Sequence, residues 1–132
     1  VRVLDASVVI DYLDGDRGAF EYIEAHSDEP LIMGTPTLLE VAIGPLCDRS
    51  FDVTPADVLK TLAWVEPHRV TAETVQHALD VVYEIGYEAP RLTMADAIVL
   101  GIGREVSATV VSGDSDHTHE RVNAVVNVEE YN

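Results

Sequence analysis

Ala108-Thr109-Val110-Val111-Ser112-Gly113-Asp114-Ser115-Asp116 decides how the rest of the chain is read: a short apolar strand runs directly into a small, acidic loop. The first residues repeat the arrangement, since Val1-Arg2-Val3-Leu4 is an apolar run that ends at Asp5. Between these two stretches helical periods alternate with short strands. Ser7 to Leu13 reads as a helix broken by Gly15, and Phe20, Ile23 and Ala25 continue in helical period towards Ser27. Leu31-Ile32-Met33 is a second strand, closed by Gly34. Thr35-Pro36 starts a helix, with an N-cap hydroxyl followed by proline at the first helical position, and that helix stops near Gly44-Pro45. Thr54-Pro55 repeats the signal for a helix to about Ala63, and Trp64-Val65-Glu66 is a weak strand before Pro67. Thr71 opens a helix carrying Val75, Ala78, Leu79, Val82 and Ile85, which Gly86 ends. Thr93 opens the next, to about Glu105, where Gly101 and Gly103 permit close backbone packing. Val125-Val126-Asn127-Val128 is the final strand.

Helices alternating with short Val-rich strands argue for an α/β fold: a central parallel sheet flanked by helices on both faces. A length of 132 residues suits a single domain spanning 1–132 and suffices for a hydrophobic core. Twenty valines among 47% hydrophobic residues set the chain apart from acidic disordered sequences. No apolar run is long enough to span a membrane. No charged segment followed by an apolar one opens the chain, so no retained signal peptide is expected. The single cysteine, Cys47, excludes an internal disulfide and a multi-cysteine zinc site, and is compatible with a cytoplasmic location.

Charge supplies the next constraint. Asp and Glu number 24 against 8 Lys and Arg, for a net charge of −16, and Lys60 is the single lysine. Acids spread along the whole chain with almost no lysine resemble the coat of a protein from a salt-saturated cytoplasm, where the repulsion is screened. The rival reading is an acidic face for a basic partner, but the acids form no block. Such a surface excludes a basic nucleic-acid recognition face, which needs clustered cations. It does not exclude contact bridged by metal.

Ligand sites in parallel sheets form outside the carboxyl ends of the strands. Asp5 follows the first strand there, and Asp114 and Asp116 follow the strand ending at Val111. Glu40 lies in the second turn of the helix opened by Thr35, and Asp96 in the first turn of the helix opened by Thr93; both helices begin at that same edge. Four segments thus bring carboxylates to one cleft. Crowded carboxylates repel unless a cation is present, and one or two Mg²⁺ or Mn²⁺ ions with oxygen ligands resolve the conflict. Two such ions clamp the attacking water and leaving oxygen of a phosphodiester displacement. Blander readings exist for each acid. Thr93-Met94-Ala95-Asp96 and Thr37-Leu38-Leu39-Glu40 both fit a capping box, and Asp114 beside Gly113 fits a turn. Asp5 resists such a reading, because a carboxylate ending a buried strand is costly without a partner.

The residues also resemble a known family. Val3-Leu4-Asp5-Ala6-Ser7-Val8-Val9-Ile10-Asp11-Tyr12-Leu13 resembles the opening of a PIN domain, in particular the VapC-type toxin ribonucleases. Thr35-Pro36-Thr37-Leu38-Leu39-Glu40-Val41-Ala42, Leu92-Thr93-Met94-Ala95-Asp96-Ala97-Ile98 and Val110 to Asp116 resemble the second, third and last acidic motifs, in order and spacing. The resemblance implies a PIN-like three-layer sandwich and a Mg²⁺- or Mn²⁺-dependent endoribonuclease. Asp5, Glu40, Asp96 and Asp114 match the catalytic and metal-binding acids, Asp116 a less constant fifth acid, and Ser7 and Ser112 hydroxyls that support the metal shell. It further implies an RNA substrate, a homodimer and, for toxins, a cognate antitoxin protein.

One position departs from the pattern: the residue after the final acidic pair is often Phe and here is His117. With His119 it opens a second possibility, a transition-metal hydrolase, since imidazole favours Zn or Mn. Otherwise both read as loop residues, and His26, His68 and His77 as solvated. Arg91, Arg104 and Arg121 lie near the third and fourth motifs and are candidates for RNA phosphate contact, or else surface partners of neighbouring acids. A receiver domain would need a lysine after a late strand, and a haloacid-dehalogenase-type phosphatase an Asp where Ser7 stands. A silent interaction domain fits poorly with acids at all four motifs. A PIN nuclease of RNA processing remains open beside the toxin.

Overall fold

Alternation along the strands decides the layering, and the computed structural model shows both faces of the sheet buried. It describes residues 1–48, 52–86, 92–114 and 117–132. Five strands form one sheet: β1 (Arg2–Leu4), β2 (Leu31–Gly34), β3 (Glu66–His68), β4 (Thr109–Val111) and β5 (Val128–Glu129). Val3, Ile32 and Val110 point into one core, whereas Leu4, Met33 and Val111 point into the other. Helices α1 (Ala6–Leu13), α2 (Arg17–Ala25), α3 (Thr35–Cys47) and α4 (Pro55–Thr61) cover the second face through Val8, Val9, Ile23, Val41 and Val58. Helices α5 (Ala72–Ile85), α6 (Met94–Glu105) and the short α7 (Glu120–Asn123) cover the first through Val81, Val99, Ile102 and Val122. The α/β three-layer sandwich expected from the sequence is the observed architecture. Among the described residues no helix is long and apolar enough to cross a membrane.

Strand order is β3-β2-β1-β4-β5, and every pair is parallel. The chain therefore adds β2 and β3 on one side of β1, then returns to add β4 and β5 on the other. Its direction of winding reverses between β1 and β4, and a crevice opens outside the carboxyl ends of strands at such a point. Asp5 and Ser112-Gly113-Asp114 leave the sheet at that crevice.

Several boundaries differ from the sequence reading. Thr35 does not cap α3: Gly34 takes the N-cap position, and Thr37 is buried inside the first turn. The helix runs through Gly44-Pro45 to Cys47, because a proline this near the end removes one ladder bond and Asp48 still donates to Gly44 O at 3.2 Å. β3 begins at Glu66 and includes Pro67, which an edge strand tolerates. Val125 and Val126 are not in the last strand, because their N–H groups donate to Val122 O and extend the α7 turn.

Gly101 and Gly103 do permit close packing. A Cβ on Gly101 would lie 2.8 Å from the Ala78 backbone on α5, and one on Gly103 2.5 Å from a Val110 methyl. Helix propensity alone would reward Gly101→Ala by about 1 kcal/mol. The collision reverses the sign, so the variant is expected to lose about 1–3 kcal/mol of stability. Chemical denaturation decides between the two, and a stabilised variant would disprove the packing argument.

Candidate metal centre

The site starts from a carboxylate that declines its local role. Asp5 N–H donates to Val111 O at 3.0 Å, which fixes the residue at the edge of β1 beside β4. It occupies the N-cap position of α1, yet its side chain makes no capping hydrogen bond. Instead Oδ2 accepts from Ser7 Oγ and from Ser112 Oγ, both at 3.0 Å. Among the described residues Oδ1 has no donor, and only 13% of the side chain is exposed. A nearly buried acid held by one oxygen with the other open is costly unless something positive meets it.

The loop after β4 builds the opposite wall. Gly113 N–H donates to Ser7 Oγ at 3.1 Å and Asp114 N–H to Ser112 Oγ at 3.0 Å, so each serine ties the loop to Asp5. A Cβ on Gly113 would lie 2.8 Å from the Tyr131 hydroxyl, and that hydroxyl donates to Asp11 on α1. The C-terminal tyrosine thus clamps the acidic loop from behind. Burial and the carboxylates of Asp11, Asp16 and Asp5 push its hydroxyl well above the ordinary tyrosine range.

Asp96 serves two roles at once. The capping box is real: Thr93 N–H donates to Asp96 Oδ2 at 2.9 Å, and Asp96 N–H donates to Thr93 Oγ1 at 3.2 Å. Oδ1 turns the other way and lies 2.7 Å from His117 Nε2. Burial alone would raise this carboxyl, but the hydrogen bonds from Thr93 and the charge and contact of the His117 imidazole outweigh it. The group stands below its ordinary 3.8. A carboxyl lowered on folding contributes stability above its unfolded pKa, and that stability is lost as pH falls through the lowered folded value. The metal-free protein should therefore destabilise more steeply than Asp96→Asn as pH falls through and below the ordinary carboxyl range. Equal slopes in acid titration of the unfolding midpoint would contradict this.

His117 lies in the loop after β4, as the sequence reading placed it, but is fully buried there, with Nδ1 3.0 Å from Ser112 Oγ. Its signal was the departure itself, since a position that is often Phe is a buried one. Asp96, Asp114 and His117 offer ligand atoms within 4.8 Å of one another. His119 instead caps α7 by accepting from Arg121 N–H, and His68 pairs with Glu105 at 2.8 Å rather than being solvated.

The remaining candidates divide. Ser7, Ser112, Asp5, Asp96 and Asp114 come together at the crevice. Glu40 is exposed and lines a neighbouring cleft of about 440 Å³ with Ile10, Leu13, Asp14, Val41 and Asp48, and the capping reading of Thr37–Glu40 fails because Thr37 is not a cap. Arg104 is not brought to the site: it lies in the last turn of α6, whose first turn holds Asp96, and it pairs with Glu84. Arg121 is exposed on α7, its guanidinium near Gly86. Asp116 and Arg91 lie outside the described residues. The donor set suits a hard divalent ion, since it is rich in carboxylate oxygen and neither Asp5 nor Asp96 pairs with Lys or Arg among the described residues.

Comparison with known proteins adds three findings. The family model "PIN domain" matches residues 2–124. No curated protein matches the chain by sequence. Solved structures of similar fold include a toxin–antitoxin complex from Klebsiella pneumoniae, at TM-score 0.79 and 16% identity over 100% of this chain and 98% of that one. VapBC2 from Rickettsia felis, bound to a promoter DNA fragment, aligns with TM-score 0.79 and 12% identity over 98% and 97%. VapC20 from Mycobacterium tuberculosis, a Sarcin-Ricin loop cleaving toxin, aligns with TM-score 0.65 and 16% identity over 89% and 93%.

Proposed function

We propose a function from a plain premise: the chain belongs to the PIN domain family, and its crevice serves as a metal-dependent endoribonuclease centre. The observation that carries this is Asp5, a carboxylate at an N-cap that caps nothing and is held by two serines, one of which also binds the Asp114 loop. Asp5, Asp96 and Asp114 would hold Mg²⁺ or Mn²⁺, with Asp116 completing the set and Glu40 acting at the rim. A bound divalent ion supplies a water of lowered pKa and charge neutralisation for phosphodiester hydrolysis.

The protein's own part is positioning. Ser7 and Ser112 both donate to Oδ2 of Asp5, which leaves Oδ1 as an oriented ligand. Thr93 fixes Asp96 through Oδ2 and so aims Oδ1 into the crevice. Tyr131 and Gly113 hold the Asp114 loop against α1. Near burial of Asp5 and Asp96 keeps bulk water from competing for these oxygens. No side-chain nucleophile is required, and Arg121, exposed on α7, is a candidate for RNA phosphate contact.

The biological role that fits is the toxin of a type II toxin–antitoxin pair, acting in the cytoplasm as a homodimer and blocked by a cognate antitoxin protein. Its support is the similarity in fold to toxin–antitoxin structures, together with two exposed apolar surfaces. Leu39, Ile43 and Leu46 recur along α3 as one; Val75 and Leu79 on α5 with Met94 on α6 line one apolar groove as the other. Exposed apolar groups clustered in this way mark association surfaces. The test is RNA cleavage in molar KCl with Mg²⁺ or Mn²⁺, comparing wild type with Asp96→Asn. Equal cleavage would remove the assignment. Growth arrest on expression, relieved by a neighbouring gene, separates a toxin from an RNA-processing nuclease.

A further inference from the structure

His117 is fully buried among acids, and the function above gives it no task. Its hydrogen-bond partners are best satisfied by one tautomer. Asp114 N–H donates to Ser112 Oγ and takes one lone pair. The single hydrogen of that hydroxyl goes to Asp5 Oδ2, because an ionised carboxylate only accepts. The remaining lone pair of Ser112 Oγ faces His117 Nδ1 at 3.0 Å, so Nδ1 must donate. A neutral imidazole with its hydrogen on Nδ1 presents a bare lone pair at Nε2. That lone pair stands 2.7 Å from Asp96 Oδ1, the oxygen left over from the Thr93 cap. In this tautomer Nε2 and Asp96 Oδ1 are two lone-pair donors at a separation that suits neighbouring ligands of one ion.

We propose that His117 Nε2 is a nitrogen ligand of the metal centre beside Asp96 and Asp114, and that it biases the centre towards Mn²⁺ over Mg²⁺. The proposal rests on the metal-dependent reading above and deepens it. Three observations converge on it. The ligand atoms of Asp96, Asp114 and His117 lie within 4.8 Å of one another. The Nδ1–H bond to Ser112 is the kind of outer contact that fixes the tautomer and ring of a ligating histidine. Imidazole ranks Mn²⁺ above Mg²⁺, which takes oxygen ligands and retains water. Ser112 consequently orients two ligands at once, Asp5 through its hydrogen and His117 through its lone pair.

The test uses the full chain loaded with Mn²⁺ in molar KCl. Pulsed electron paramagnetic resonance should show ¹⁴N coupling from a directly bound imidazole in wild type, and none in His117→Phe. Calorimetric titration should show Mn²⁺ affinity falling about ten-fold or more in that variant, while Mg²⁺ affinity changes by less than about three-fold. His117→Gln, which keeps a polar group, serves if the Phe variant does not fold. Mn²⁺ bound to wild type without ¹⁴N coupling overturns the nitrogen ligand while leaving the metal centre standing. Coupling that survives in the variant, or an unchanged preference between the two ions, overturns it as well. A wild-type chain that binds neither ion removes the metal centre itself, and the ligand with it.

Discussion

Asp5→Asn is expected to cut metal-dependent RNA cleavage by at least about 10³-fold while the chain stays folded. The size follows from what the carboxylate supplies. Charge stabilisation at a bound metal is worth several kcal/mol at the transition state, and each 1.36 kcal/mol is a factor of ten. The preserved fold follows from the local geometry. Asparagine matches the shape, and its amide oxygen can still accept from Ser7 and Ser112, which are the bonds that tie β1 to the loop after β4. Asp5 caps no helix, so no cap is lost. Removing one of several crowded acids also relieves repulsion in the metal-free state. Asp96→Asn is a less clean probe of the same centre, because it touches the capping box and the His117 contact together. Circular dichroism and the unfolding midpoint verify the fold, and an RNA cleavage assay reads the loss. Activity within a few-fold of wild type would defeat the assignment of the crevice as the catalytic centre.

The parts of this site that were legible in the sequence are those whose position depends on element order. Asp5 and Asp114 end parallel strands, and any parallel sheet sends such residues to one edge. Asp96 lies three residues past a helix-opening threonine, so its turn was readable; its Oδ2 fills the capping box while Oδ1 is left to meet His117. Long-range contacts were not legible in this way. Nothing local to His117 says that it closes against Asp96, 21 residues earlier in the chain, nor that Tyr131 clamps Asp11, 120 residues away. Arg104 shows the reverse failure, because closeness in sequence to the third motif becomes separation along a helix. The edge strands failed for a related reason. β3 and β5 each pair on one side only, so their limits follow the register of a single neighbour rather than an apolar pattern of their own.

The net charge of −16 leads to the second large effect: the unfolding midpoint should rise steeply as KCl increases from about 0.1 M to about 1 M. Over that interval the Debye length falls from about 10 Å to about 3 Å, so repulsion between separated surface acids is largely screened. Screening also weakens attraction, and the exposed pairs Arg17–Glu21 and Arg104–Glu84 lose strength. Repulsion decides the sign, because 24 acids face only 8 Lys and Arg, and an exposed pair is worth at most about 1 kcal/mol. Salt also strengthens apolar burial, a contribution that keeps growing with concentration. The two are separable by charge. Glu24, Glu66 and Glu130 are exposed and form no ion pair among the described residues. Replacing all three by Gln should raise the midpoint at 0.1 M and flatten its salt dependence, whereas strengthened burial would leave the slope unchanged. With the crevice acids holding a divalent ion, as proposed, the same triple variant should keep its response to Mn²⁺. A wild-type midpoint indifferent to KCl would show that the acidic coat is not an adaptation to salt.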